Sequence, residues 1–311
     1  MKKSFSAIVF SVALVSLVGC SKTATTEAKV VNVNGLAEKI QGVMKERGDN
    51  ITVKAEELKK LTDPAGFSYV QLTYEKDGEQ VAQYKVFTDG SKITEDFIDV
   101  ASLSSMSKEL EFETAKPVNI PTDNLTLVAG TKGAKTTIIE VTDFQCPYCK
   151  RASNYLKDKL ADKKDVALYI VHLPLDMHPS AKTMAQVYEA GMLMGKNYVN
   201  DLFNADYDMQ FNEELDKMQQ KNKEKRITED DVKPIIEKIN KKIIDDYAKK
   251  SGDEKKFKEL IESEMVKAKL ENSQKIVEEI KAQSTPMIYV NGKLIAGFDQ
   301  NRLDKILSEV K

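Results

Sequence analysis

Two cysteines three positions apart, Cys146 and Cys149, enclose Pro147 and Tyr148 where a β-branched run, Thr136-Thr137-Ile138-Ile139-Glu140-Val141, gives way to a helix-compatible stretch. Thiols at that spacing at a helix start can close a small ring, and a C-x-x-C pair in this context reads as a redox dithiol. The helix N-terminus and its free N–H groups favour a Cys146 thiolate, which is both nucleophile and leaving group. Cys149, one turn deeper, is then the resolving thiol. Glu140 precedes Cys146 by six residues inside the apolar strand, where burying an acid is costly. Placed behind the dithiol, with a pKa raised by desolvation, its carboxyl can accept and return the Cys149 proton; on an exposed edge strand it would be an ordinary acid. Buried structural cysteines and a zinc half-site are the alternatives to a dithiol, although zinc would need two further ligands and the chain holds only two histidines, His172 and His178. Both histidines read as structural. Thr285-Pro286 leads from a turn into a strand, and the residues alone leave its cis or trans state open.

The surrounding pattern supplies elements to hold these groups. Thr136 to Val141 and Val166 to Val171 read as buried strands, with a helix starting at Cys146. From about 180 to 283 the chain turns helical, with Met184, Val187, Tyr188, Gly191 and Met192 on one stripe and Val232, Ile235, Ile236, Ile239, Ile243 and Tyr247 on another. Met287 to Val290 resumes as a strand, Asn291-Gly292 turns the chain, and Gln300 to Val310 closes as an amphipathic helix. The order β-α-β, helices, β-β-α resembles a thioredoxin fold with a large helical insertion, an α/β architecture over 125–311. A small α+β domain is expected before it, over 29–114. There Leu36, Ile40 and Val43 share a helical face, and two β-rich runs meet at Asp77-Gly78. Residues 115–124, with Pro117 and Pro121, read as an extended linker.

The chain has 311 residues, enough for two domains, and balances 47 Lys and Arg against 49 Asp and Glu, which argues against a basic nucleic-acid binder. Its three cysteines are too few for a disulfide framework. Lys2 and Lys3 precede an apolar run from Phe5 to Val18, too short to span a bilayer and matching a signal peptide over 1–19. Leu17-Val18-Gly19-Cys20 resembles a bacterial lipobox, which implies lipid attachment at Cys20 and a tether over 20–28. The expected location is the oxidising cell envelope, on the periplasmic face of the outer membrane where the cell has one.

Asp143-Phe144-Gln145-Cys146-Pro147-Tyr148-Cys149-Lys150, Pro174-Leu175, His178-Pro179 and Thr285-Pro286 to Gly292-Lys293 together resemble the DsbA-like thiol:disulfide oxidoreductases of the bacterial envelope. The resemblance implies attack by Cys146, resolution by Cys149, Glu140 as the buried acid, and a cis peptide at Thr285-Pro286 that faces the dithiol. It also implies substrate contact by Pro147, Tyr148, Thr285 and Pro286. Pro147-Tyr148 replaces the Pro-His of strongly oxidising members, and the threonine before the proline is similar to the isomerase branch, DsbC and DsbG. Residues Phe87 to Lys92 and Phe97 to Val100 resemble the cystatin-like dimerisation domain of those isomerases, which implies a homodimer.

The expected function is exchange of disulfides with substrate proteins through a Cys146 mixed disulfide, with isomerase or reductase work slightly favoured over oxidation. No cofactor and no metal are required, and a membrane partner would resupply redox equivalents. An envelope chaperone or substrate-holding scaffold with a secondary redox role, and a metal-delivery module using the C-x-x-C pair, are the alternatives.

Overall fold

The computed structural model describes residues 31–221 and 226–308. The expected signal peptide and the lipid-bearing Cys20 lie outside them. Among the described residues, no helix is long and apolar enough to cross a membrane. The chain divides into two compact units, one up to Ile98 and one from Asp99.

In the first unit, α1 (Val33–Glu46) precedes an antiparallel sheet of β1 (Thr52–Lys60), β2 (Ser68–Lys76), β3 (Glu79–Thr88) and β4 (Ile93–Thr94), paired in that order. The β2–β3 turn places Asp77 at φ 52° and Gly78 at φ 85°, the two positive values that make Asp-Gly a hairpin signal. Leu36 of α1 is buried with Val70, Leu72 and Val86, and Ile40 packs against this cluster. Val43, expected on the same face, is 48% exposed and lies outside that cluster.

The second unit opens with α2 (Met106–Thr114), then β5 (Thr126–Gly130), β6 (Thr136–Thr142), α3 (Pro147–Leu160) and β7 (Val166–His172). Among the described residues six helices follow: α4 (Ala181–Leu193), α5 (Val199–Asn204), α6 (Tyr207–Lys221), α7 (Glu229–Ser251), α8 (Glu254–Ile261) and α9 (Glu264–Glu279). The chain returns through β8 (Met287–Val290) and β9 (Lys293–Ala296) to α10 (Gln300–Ser308). The sheet order is β5-β7-β6-β8-β9, with β6 and β7 parallel and the other pairs antiparallel. This is the expected thioredoxin-type α/β sheet, with the six helices inserted between β7 and β8.

The boundary between units differs from the expected one near residue 115. Lys293 and Arg302 place their cations 5.9 and 5.6 Å from the Phe112 ring of α2. The expected linker is also packed into the second unit: Val118 N–H donates to the Gly292 carbonyl at 2.9 Å, and Ile120 is buried beside Leu125. Pro117 and Pro121 keep this segment extended, and an extended segment can lie along a sheet end as readily as it can span two domains.

Strands β6 and β7 are buried almost throughout, as central strands covered on both faces must be. One layer of α3 and α10 packs Ala152, Leu156, Leu303 and Leu307 against Ile138, Leu168 and Ile288. On the insertion side, Tyr188, Ile239, Ile243, Tyr247 and Phe257 build a core that reaches Phe144 and Cys149. The dithiol is therefore seated where strand, helix and insertion meet.

Candidate active site

Strand β6 ends at Thr142, and the next residues are held by a buried carboxylate. Asp143 Oδ1 accepts from the Gln145 N–H at 2.7 Å; Oδ2 accepts from the Leu175 N–H at 2.8 Å and pairs with His178 Nδ1 at 2.7 Å. The Asp143 carbonyl accepts from the Cys146 N–H at 3.0 Å. The Gln145 side chain accepts from the Ser180 N–H at 2.6 Å, which ties the same turn to the start of α4. Five polar contacts thus set the direction in which Cys146 leaves the strand.

Cys146 is the N-cap of α3, with Pro147 at the first helical position, where a missing N–H costs nothing. Both cysteines are free thiols. The Cys149 thiol donates toward the Cys146 sulfur, and the Thr285 side chain and the Cys149 and Tyr148 N–H groups add to it; together they outweigh burial and hold the Cys146 pKa at about 5. The same interaction, with burial, pushes Cys149 well above the ordinary thiol range. One sulfur is therefore a thiolate at neutral pH while the other keeps its proton, the asymmetry needed for attack by one and later resolution by the other. Cys149 is fully buried and Cys146 is 6% exposed.

The Thr285-Pro286 peptide is cis, as the family resemblance implied, and the Thr285 carbonyl lies 3.7 Å from Cys146 Sγ. Tyr148 is 58% exposed, with the Arg151 guanidinium 5.2 Å from its ring centre. Beside Cys146 opens a cleft of about 210 Å³ lined by Phe144, Met184, Leu202, Phe203 and Tyr207, with Lys150 and Asp208 also lining it.

Glu140 stands on the central strand, opposite Ile170 of β7 and Ile288 of β8, and is fully buried. Burial pushes its carboxyl up to about 8, against the hydrogen bond from Thr142, and the Cys146 charge adds to the rise. Its Oε1 accepts from the Thr142 hydroxyl at 2.9 Å, while Oε2 has no hydrogen-bond partner among the described residues. The exposed-edge alternative for this acid does not fit its position.

Sequence reasoning missed the polar groups that reach the site from elsewhere in the chain. His172 Nε2 pairs with Glu189 Oε1 at 2.8 Å, and Glu189 Oε2 accepts from Thr126 at 2.5 Å, all three side chains buried. Burial works to raise the Glu189 pKa, but the His172 hydrogen bond and charge hold it below the ordinary carboxylate range. His178 clasps Asp143 across 35 positions of sequence. An acid inside the apolar stripe of α4 was the one available signal for the Glu189 pair; nothing local marks the clasp. Among the described residues no group of three or more His, Cys, Asp or Glu side chains converges to hold a metal.

A family model described as thioredoxin matches residues 122–309. A probable disulfide bond formation protein D of Bacillus cereus is 27% identical over 172 residues, covering 53% of this chain and 69% of that protein. A 69-residue stretch is 39% identical to the Na(+)/H(+) antiporter NhaA 3 of Salinispora tropica, covering 22% of this chain and 11% of the antiporter. The chain thus spans about a tenth of the length of the first curated relatives it matches. Among solved structures, BdbD from Bacillus subtilis in its oxidised form is 19% identical, covering 63% of this chain and 97% of its own, with a TM-score of 0.41.

Proposed function

The chain belongs to the thioredoxin family, and from that premise we propose that it is a thiol:disulfide oxidoreductase that exchanges disulfides with substrate proteins. The observation that carries this reading is the unequal pair of thiols: Cys146 at the head of α3 with a pKa of about 5, and Cys149 protonated and fully buried beneath it. The Cys146 thiolate attacks a substrate disulfide, releases one substrate sulfur as thiolate and forms a mixed disulfide. Cys149 then gives up its proton, attacks Cys146 Sγ and frees the second substrate sulfur, leaving Cys146 and Cys149 joined. Glu140 receives that proton, and the reverse sequence donates a disulfide. Pro147, Tyr148 and the cis Thr285-Pro286 turn form the surface on which the substrate backbone rests.

We place the direction with isomerase or reductase work. A pKa of about 5 for Cys146 lies between the roughly 3.5 of a strongly oxidising pair and the roughly 7 of thioredoxin. The reduction potential should accordingly fall between about −120 and −270 mV. The test offers the full chain two substrates in glutathione buffers, a reduced unfolded protein and a scrambled one. Recovery of the scrambled protein is expected; a potential near −120 mV with rapid oxidation of the reduced substrate and no recovery of the scrambled one would overturn the preference.

The protein would work in the cell envelope, held by lipid at Cys20, supplied by a membrane redox partner and paired through its first unit as a homodimer. Cys20→Ser is expected to release the protein from the membrane fraction. A mature protein whose mass shows no acyl chains would contradict the anchor.

A further inference from the structure

We propose that the Thr142 hydroxyl carries the proton between Cys149 and Glu140, so that the buried acid acts on the resolving thiol through a side chain of its own strand. The inference rests on the exchange reading above and extends it to one more residue. Glu140 is walled in: Ile170 and Ile288 flank it in the sheet, and the hydrogen bond its carboxyl makes comes from Thr142, at 2.9 Å. Thr142 is itself 1% exposed and sits at the last position of β6, directly before the Asp143 turn that aims Cys146. Its hydroxyl also acts on Cys149, where Thr285, Thr142 and the Asp143 N–H, in that order, work to lower the thiol pKa against Cys146 and burial. A hydroxyl can accept and donate at once; here it donates to the acid at 2.9 Å, which leaves its lone pairs to take a proton from the Cys149 thiol it acts on.

From neighbouring elements Cys146, at the head of α3, raises the Glu140 pKa, and Glu140 in turn raises that of the Tyr188 phenol of α4. The adjacent β7 and β8 positions are apolar. The Tyr188 hydroxyl is buried without a hydrogen-bond partner among the described residues.

The step balances as follows. In the mixed disulfide, Cys149 S–H passes its proton to Thr142 Oγ1 as Thr142 passes its own to the Glu140 carboxylate. The Cys149 thiolate then attacks Cys146 Sγ; the Cys146–Cys149 bond forms, the Cys146–substrate bond breaks, and the substrate leaves as thiolate. The substrate sulfur is reduced, the cysteine pair is oxidised, and Thr142 ends unchanged.

The test uses the full chain carrying glutathione on Cys146 and follows glutathione release by rapid quench. Thr142→Val, which keeps the shape and removes the hydroxyl, is expected to slow release about 100-fold near pH 7, the lower end of what acid–base catalysis contributes; Thr142→Ser should restore it to within about threefold, since the serine hydroxyl supplies the same donor and acceptor. In the unaltered protein the rate should rise with pH and level off somewhat below 8, as Glu140 becomes carboxylate without the Cys146 charge that helps raise its pKa in the reduced protein. In Thr142→Val that plateau should vanish. A purely structural role for Thr142 would lower the rate without moving the profile. Glu140→Gln separates the two claims: if it leaves release unchanged, the assignment of Glu140 fails and the relay with it. If Glu140→Gln slows release while Thr142→Val matches the unaltered protein, the relay alone is overturned. Should Thr142→Val fail to fold, the unaltered protein decides through rates in mixed light and heavy water: two protons in flight give a curved dependence on deuterium fraction, and a straight line would contradict the relay.

Discussion

Cys146→Ser should abolish exchange with protein disulfides, a loss on the order of a thousandfold or more, the scale on which removal of a nucleophile acts. The serine hydroxyl fits the N-cap of α3, so the fold and the cleft beside it should survive while the thiolate does not. Cys149→Ala should behave differently. The first attack needs only Cys146, and Cys149 is needed to release what Cys146 has captured; the variant should therefore accumulate substrate-linked protein. Its Cys146 should also become a weaker thiolate, because the Cys149 hydrogen bond is the largest influence lowering that pKa. Iodoacetamide alkylation across pH would show the midpoint moving up from about 5. A midpoint unchanged by Cys149→Ala would mean that Thr285 and the helix N-terminus hold the thiolate without it.

The same thiolate should make the reduced protein's stability depend on pH in a way the oxidised protein's does not. Folding lowers the Cys146 pKa from 9.0 to about 5. A depressed folded pKa stabilises fully above the unfolded value and loses that contribution as pH falls through the folded one. At pH 7 the ionised thiol should contribute about 2 kcal/mol to the reduced form, after an allowance for partial solvent screening. Oxidation removes the titrating group; Glu140 is present in both forms and its contribution largely cancels, while the short disulfide loop shifts only the oxidised form, by an amount that does not vary with pH. The melting-temperature gap, reduced minus oxidised, should therefore shrink by roughly 4–8 °C between pH 7 and pH 4. A gap that stays constant over that window would show that Cys146 is not ionised in the folded protein.

What could be read before the structure was local. The dithiol follows from Cys146 and Cys149 at the seam between a β-branched run and a helix. The turns at Asp77-Gly78 and Asn291-Gly292 follow from residue types that accept positive φ, and all four residues do adopt it. The helical insertion showed itself through stripes that Tyr188, Ile239 and Ile243 do bury. What stayed hidden depends on segments meeting in space. No spacing rule joins His178 to Asp143, or His172 to Glu189, because each pair forms only when α4 and its preceding loop fold back on the β6 end. Helix α2 shows no sign in its own residues that Phe112 will lie beneath Lys293 and Arg302. Thr142 looks like one more β-branched residue until its hydroxyl is seen on the Glu140 carboxyl.

The central claim is that Cys146 takes a substrate sulfur into covalent linkage and that Cys149 lets it go. Its most direct measurement is the intact mass of the full-length Cys149→Ala protein after mixing with an unfolded, disulfide-bearing protein. The result expected is an added mass equal to that substrate, mapped by peptide analysis to Cys146, removed by reductant and absent from Cys146→Ala. An unmodified mass for Cys149→Ala, or an equal adduct on Cys146→Ala, would contradict the account.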